Sequence, residues 1–128
     1  LAIDAFSGDS IPMHLLTREA MAVYVKHLAP DGAIVFQATN RFVSIAPVVE
    51  RLASEFGMAA VMVTDEPANR AERGPDYWLS ATDQIVVTRN RAILDAPALK
   101  SVAEPLLKNP EFRVWTDNYY NLLRVLKR

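Results

Sequence analysis

The chain has 128 residues, no cysteine and a formal net charge of −1, with 51% hydrophobic and 23% charged residues. That balance belongs to one folded globular domain and excludes a disordered chain, disulfides, thiolate metal sites and a cysteine nucleophile. It offers no bulk positive charge for nucleic acid or an anionic membrane. No apolar run approaches the roughly 20 residues of a membrane-spanning helix.

Leu1, Ala2 and Ile3 form a short apolar run that ends on Asp4, and a turn-rich stretch carrying Asp9 follows. Thr17 is a good N-cap, with Glu19 in the first turn where the helix dipole favours an acid. Ala20, Val23, Tyr24, His27 and Leu28 recur at helical spacing, and Pro30-Asp31-Gly32 stops the helix. Ala33 to Ala38 reads as a strand buried on both faces, the pattern of a parallel sheet. A second helix is expected from Ser44, tolerating Pro47 in its first turn. Its stripe is Ile45, Val48, Val49, Leu52 and Phe56, with Gly57 as the residue that follows the C-cap.

Met58 to Val63 is the next apolar strand, and Asp65 to Pro75, rich in proline and charge, reads as an exposed loop. Tyr77 to Ser80 suggests a short extended segment, and Gln84 to Thr88 the last strand. Ala98 to Leu107 is expected to be helical, ending near Pro105. After Trp115-Thr116-Asp117 comes a terminal amphipathic piece with Leu122, Leu123, Val125 and Leu126. The alternation of strands and helices argues a parallel sheet with right-handed crossovers. The last two strands have no long helix between them, so the final one is expected to return antiparallel.

At this level of detail the chain resembles the carboxyl-terminal half of the spermidine synthase-like (polyamine aminopropyltransferase) branch of the class I S-adenosylmethionine-dependent methyltransferase fold. The motifs are Leu1-Ala2-Ile3-Asp4, Ala5-Phe6-Ser7-Gly8, Asp9 and Ser10-Ile11-Pro12. They continue with Leu15-Leu16-Thr17-Arg18-Glu19, then Leu28-Ala29-Pro30-Asp31-Gly32 and Gln37, and finally Thr116-Asp117 with Asn121-Leu122-Leu123. The family keeps two acids in a D-x-x-D-P pattern, whereas Asp4 and Asp9 stand five positions apart here.

The resemblance implies a partial Rossmann-like α/β fold: three parallel strands, an antiparallel closing strand, and helices on both faces. It implies that residues 1–128 correspond to the carboxyl-terminal half of the domain. The glycine-rich cofactor half would lie ahead of it, so the chain alone is expected to be inactive and to bind no cofactor. The implied cofactor of the parent is S-adenosylmethionine or its decarboxylated form, with Asp4 and Ala5 as edge contacts. The implied location is cytoplasmic, in a parent that in some relatives is fused to a membrane domain.

Aminopropyl transfer is attack by an amine nitrogen on a carbon beside a sulfonium, and the protonated amine needs a carboxylate to hold it and take its proton. By resemblance Asp4 is that catalytic acid; the bland alternative is a strand-end acid capping backbone amides. Asp9 is the candidate for the second charge of a polyamine, or the first residue of an Asx-turn. Gln37 interrupts an apolar strand, so it either lines the amine pocket or is a satisfied core amide. Tyr77 and Trp78 would wall the pocket through apolar and cation–π contacts, or simply pack. His14 and His27 have no matching carboxylates, which argues against a metal site, and His27 is expected to be partly buried. No G-x-S-x-G elbow is present.

Two rival functions fit the same residues: methyl transfer to another small molecule, and a non-catalytic assembly domain. The expected partners are a small-molecule amine, no nucleic acid, and a second copy of the chain through an exposed sheet edge or helices.

Overall fold

The structure, a computed structural model, describes residues 1–4, 12–65 and 82–127. The chain is α/β. Five strands, β1 (Ala2–Ile3), β2 (Ala33–Gln37), β3 (Ala59–Asp65), β4 (Thr82–Thr88) and β5 (Ala103–Pro105), form one sheet in the order β1-β2-β4-β3-β5. Two helices of ten residues, α1 (Arg18–His27) and α2 (Ala46–Glu55), pack on it, and two single turns, α3 (Arg91–Leu94) and α4 (Pro97–Lys100), precede β5. Among the described residues no helix is long and apolar enough to cross a membrane.

The sheet is mixed. β1 and β2 pair parallel, while β4 runs antiparallel to both β2 and β3, and β5 antiparallel to β3. The three strands expected to be parallel do share one direction, but only β1 and β2 are neighbours. β4 does not close the sheet at an edge; it lies between β2 and β3. Without a crossover helix the chain leaving β3 returns antiparallel, pairing Ala59 with Thr88 through to Asp65 with Thr82. Inserting β4 there satisfies both of its edges and buries Ile85 and Val87 completely.

The expected helices on both faces are not what α1 and α2 form, because both pack on the same face. Ile34 and Phe36 of β2 and Ile85 and Val87 of β4 are buried there, each at 0–1% exposure, together with Met21, Val48, Val49 and Leu52 of the helices. Ile3, Ala60 and Met62 pack against this core and belong, by register, to the same face. Tyr24 of α1 stands edge-on to Phe36, ring centroids 6.2 Å apart. The opposite face carries the row Ala2, Val35, Val86, Val61 and Pro105 across all five strands. Its three valines are half-buried and stand outside the core. β2 is therefore buried on one face rather than on two.

Local signals set most boundaries. Thr17 caps α1 by accepting from the Ala20 amide at 3.2 Å, and the Pro30-Asp31-Gly32 turn is held by Thr88 Oγ1 on the Gly32 carbonyl. The buried stripe of α1 is displaced from the expected one. Met21 is buried, Tyr24, Val25 and Leu28 are half-buried, and Val23 and His27 are exposed. In α2, Ile45, Val48, Val49 and Leu52 are buried as expected, and Gly57 ends the helix at φ +67, a conformation that favours glycine.

The carboxyl-terminal third departs furthest from expectation. The helix expected over Ala98–Leu107 is replaced by the single turn α4, ending at Lys100, and by the strand β5, which takes the free edge of β3. Pro105 is tolerated because its missing N–H falls on an edge strand. The amphipathic terminal piece is reduced to one turn, Leu122–Arg124, with Leu122, Leu123 and Leu126 exposed and Val125 buried. Trp115, at 1% exposure, anchors this tail in the core.

Candidate functional site

The polar residues that interrupt the apolar strands collect where β1 and β2 end. Parallel register pairs Ala2 with Val35 and Ile3 with Phe36, so Asp4 follows level with Gln37, the last residue of β2. Gln37 pairs with Gln84 of β4, and Gln84 with Val63 of β3. Neighbouring strands are ~4.8 Å apart, so one acid and two primary amides stand in a row. By alternation Gln37 and Gln84 project on the face opposite Phe36 and Ile85, away from α1 and α2. Ligands of open α/β sheets bind beyond the carboxyl ends of the strands, and this row is there.

Asp4 is exposed, and among the described residues its carboxylate has no hydrogen-bond or ionic partner. The strand-end capping role considered for it is therefore not realised among these residues. Gln37 is half-buried, and its Oε1 accepts from the Thr39 hydroxyl at 3.3 Å. With the carbonyl oxygen engaged, the amide N–H groups are what Gln37 presents. Asp9, Tyr77, Trp78 and Ala5 lie outside the described residues.

A set of residues that sequence reasoning did not single out supports this row. The Asp83 amide donates to Thr39 Oγ1 at 2.8 Å and the Ala38 amide to the Asp83 carbonyl at 2.8 Å, stitching the exit of β2 to the entry of β4. Thr64 Oγ1 in turn donates to the Asp83 carboxylate at 2.9 Å. Thr39 is thus held from behind while it contacts Gln37. The signal was faint: Asp83 immediately precedes the strand expected from Gln84 to Thr88 and is the second residue of β4. Only the antiparallel insertion of β4 carries its amino end to the carboxyl end of β2.

The motifs Leu15-Leu16-Thr17-Arg18-Glu19 and Thr116-Asp117 meet elsewhere, although a hundred positions separate Thr17 from Asp117. Thr17 Oγ1 donates to Asp117 Oδ1 at 2.8 Å, the Asp117 amide donates to Glu19 Oε2 at 3.0 Å, and the Arg18 amide donates to the Trp115 carbonyl at 2.8 Å. The last of these satisfies the open Arg18 amide at the start of α1, and all three fasten the tail to the helix. A cavity of about 360 Å³ beside them is lined by His14, Glu19, Val23, Asp117 and Tyr120 among others. The polar groups here serve to cap the helix. Among the described residues no group of His, Asp and Glu could hold a metal ion.

Comparison with known protein families, with curated proteins and with solved structures found no match.

Proposed function

We propose that this chain carries the amine side of a spermidine synthase-like transferase, within a partial class I methyltransferase fold, and that Asp4 is its proton acceptor. The observation that carries the reading is the placement of a carboxylate, Asp4, without a partner among the described residues and level with Gln37 at the ends of the parallel strand pair. Three strand ends also contribute carboxylates at this end of the sheet, Asp4, Asp65 and Asp83. That charge suits a polyamine cation.

In this reading Asp4 holds the ammonium and takes its proton, freeing the nitrogen lone pair. That nitrogen would then attack the carbon beside a bound sulfonium, whose carbon–sulfur bond would break with its electrons returning to sulfur. S-adenosylmethionine or its decarboxylated form supplies that electrophilic carbon. Gln37, oriented by Thr39, positions the amine or the Asp4 carboxylate through its N–H groups. None of the four glycines forms a G-x-G-x-x-G run, so the phosphate- and sugar-type contacts of such a loop are not assigned to these residues.

Titration with putrescine tests the proposal. The chain is expected to bind it, and Asp4→Asn, nearly isosteric but uncharged, to weaken binding at least tenfold, about 1.4 kcal/mol. Unchanged affinity in the variant, or no binding by the parent chain, overturns the reading. Product analysis of the full-length protein with putrescine separates aminopropyl from methyl transfer, because only the former yields spermidine.

A further inference from the structure

The opposite end of the sheet holds a charged group that the proposed reaction does not use. Glu50, in the middle of α2, is only 5% exposed. Its Oε1 accepts from the Ser54 hydroxyl, one turn later, at 2.6 Å. Among the described residues it forms no ion pair and no other hydrogen bond. No fully enclosed side-chain oxygen lacks a partner among those residues, so Oε2 must retain access to open space. That space is a cavity of about 470 Å³ at the start of β3, lined by Glu50, Ser54, Met58, Leu94 and Leu106 among others. A volume of this size is within the range of about 300–1,000 Å³ common to small-molecule sites.

Burying a carboxylate against a single neutral donor leaves most of its desolvation cost unmet. A cation would meet it, and two cationic residues, Arg91 and Lys108, line the same cavity without pairing with Glu50. Both are exposed, so the cavity combines a buried negative group, two exposed cations and an apolar lining of Met58, Leu94 and Leu106. A plain anion would be repelled by Glu50, and a plain amine would leave the two rim cations without a partner. A molecule bearing both charges on one carbon, with an aliphatic side chain, satisfies all three features.

We propose that this cavity binds a small aliphatic α-amino acid, its ammonium on Glu50, its carboxylate between Arg91 and Lys108, and its side chain on the apolar wall. The site lies where α2 passes through Gly57 into β3, at the other end of the sheet from Asp4, and does not depend on the transferase reading.

The test is titration of the ¹⁵N-labelled chain with L-leucine, with isoamylamine and 4-methylpentanoate as probes that each lack one charge. Saturable leucine binding with shifts at Gly57–Ala60 and Arg91–Leu94 is expected, at least tenfold tighter than either probe. Glu50→Gln is expected to weaken it at least tenfold. If that variant fails to fold, the exposed double variant Arg91→Ala/Lys108→Ala decides, again with a tenfold loss expected. Absence of saturation by leucine at millimolar concentration, equal affinity for isoamylamine, or unchanged affinity in the variants overturns the proposal.

Discussion

The two faces of this sheet are built from much the same residues, yet they do different things. On one face Ile34, Phe36, Ile85 and Val87 are sealed under α1 and α2. On the other, Val35, Val86 and Val61 form a comparable apolar row that these helices do not cover. The sealed face supplies stability through removal of apolar area from water. The second face, with less of its area removed, carries Gln37 and Gln84 at its polar end. Apolar strand residues alone do not mark a core; the layer packed on them does.

The largest expected effect comes from setting the faces against each other. Phe36→Ala should cost about 3–5 kcal/mol in urea unfolding, the range for emptying a packed aromatic site. Val35→Ala, its neighbour on the other face, should cost less than about 1 kcal/mol, in proportion to the smaller area it buries. Equal losses would break the distinction between the faces.

A smaller effect should follow from loosening α1. Thr17→Ala removes an N-cap and the bond to Asp117 together and should cost about 1–2 kcal/mol. Thr17→Ser should recover most of it. A double-mutant cycle with Asp117→Ala isolates the share that comes from the tail, and zero coupling would remove the tail from the account.

The smallest effect is a pH dependence on the covered face. Burial pushes the Tyr24 phenol above its ordinary value of 10.0. Its hydroxyl donates to the Leu15 carbonyl at 2.9 Å. The folded state holds the proton more tightly than the unfolded chain, so this stabilisation is complete below pH 10 and is lost as pH rises through the folded value. Tyr24→Phe should lose about 1 kcal/mol at neutral pH with the hydrogen bond. It should also show a shallower decline in stability above pH 10. An identical alkaline slope in both proteins would place the phenol in open solvent.

Much of the architecture was legible because its signals are local. The Thr17 cap, the Pro30-Asp31-Gly32 stop, the α2 stripe and the Gly57 turn all depend on residues within one or two turns of each other. The apolar runs around Ile34, Val61 and Val86 likewise announce strands wherever they end up. β5 was not legible, since Ala103-Glu104-Pro105 has no strand propensity and forms only because β3 offers a free edge. The α1 stripe was misplaced because Val23 and His27 fit the helical period as well as Met21 and Val25 do. The core decides between those two registers by enclosing Met21 and leaving Val23 exposed.

The candidate site divides in the same way. Asp4 at the end of an apolar run, and Gln37 interrupting another, could be singled out from sequence. Asp83 and Gln84 could not, because they reach the site only once β4 is inserted beside β2, where the Asp83 amide fixes Thr39. Glu50 looked like any polar residue of an amphipathic helix until the fold enclosed it. The sequence by itself determined which segments become helix or strand and which residues interrupt them, since periodicity and capping act over a few residues. Tertiary structure decided strand order, which face is covered and which polar groups meet. Those outcomes depend on competition among distant segments for the same edges and the same apolar surface.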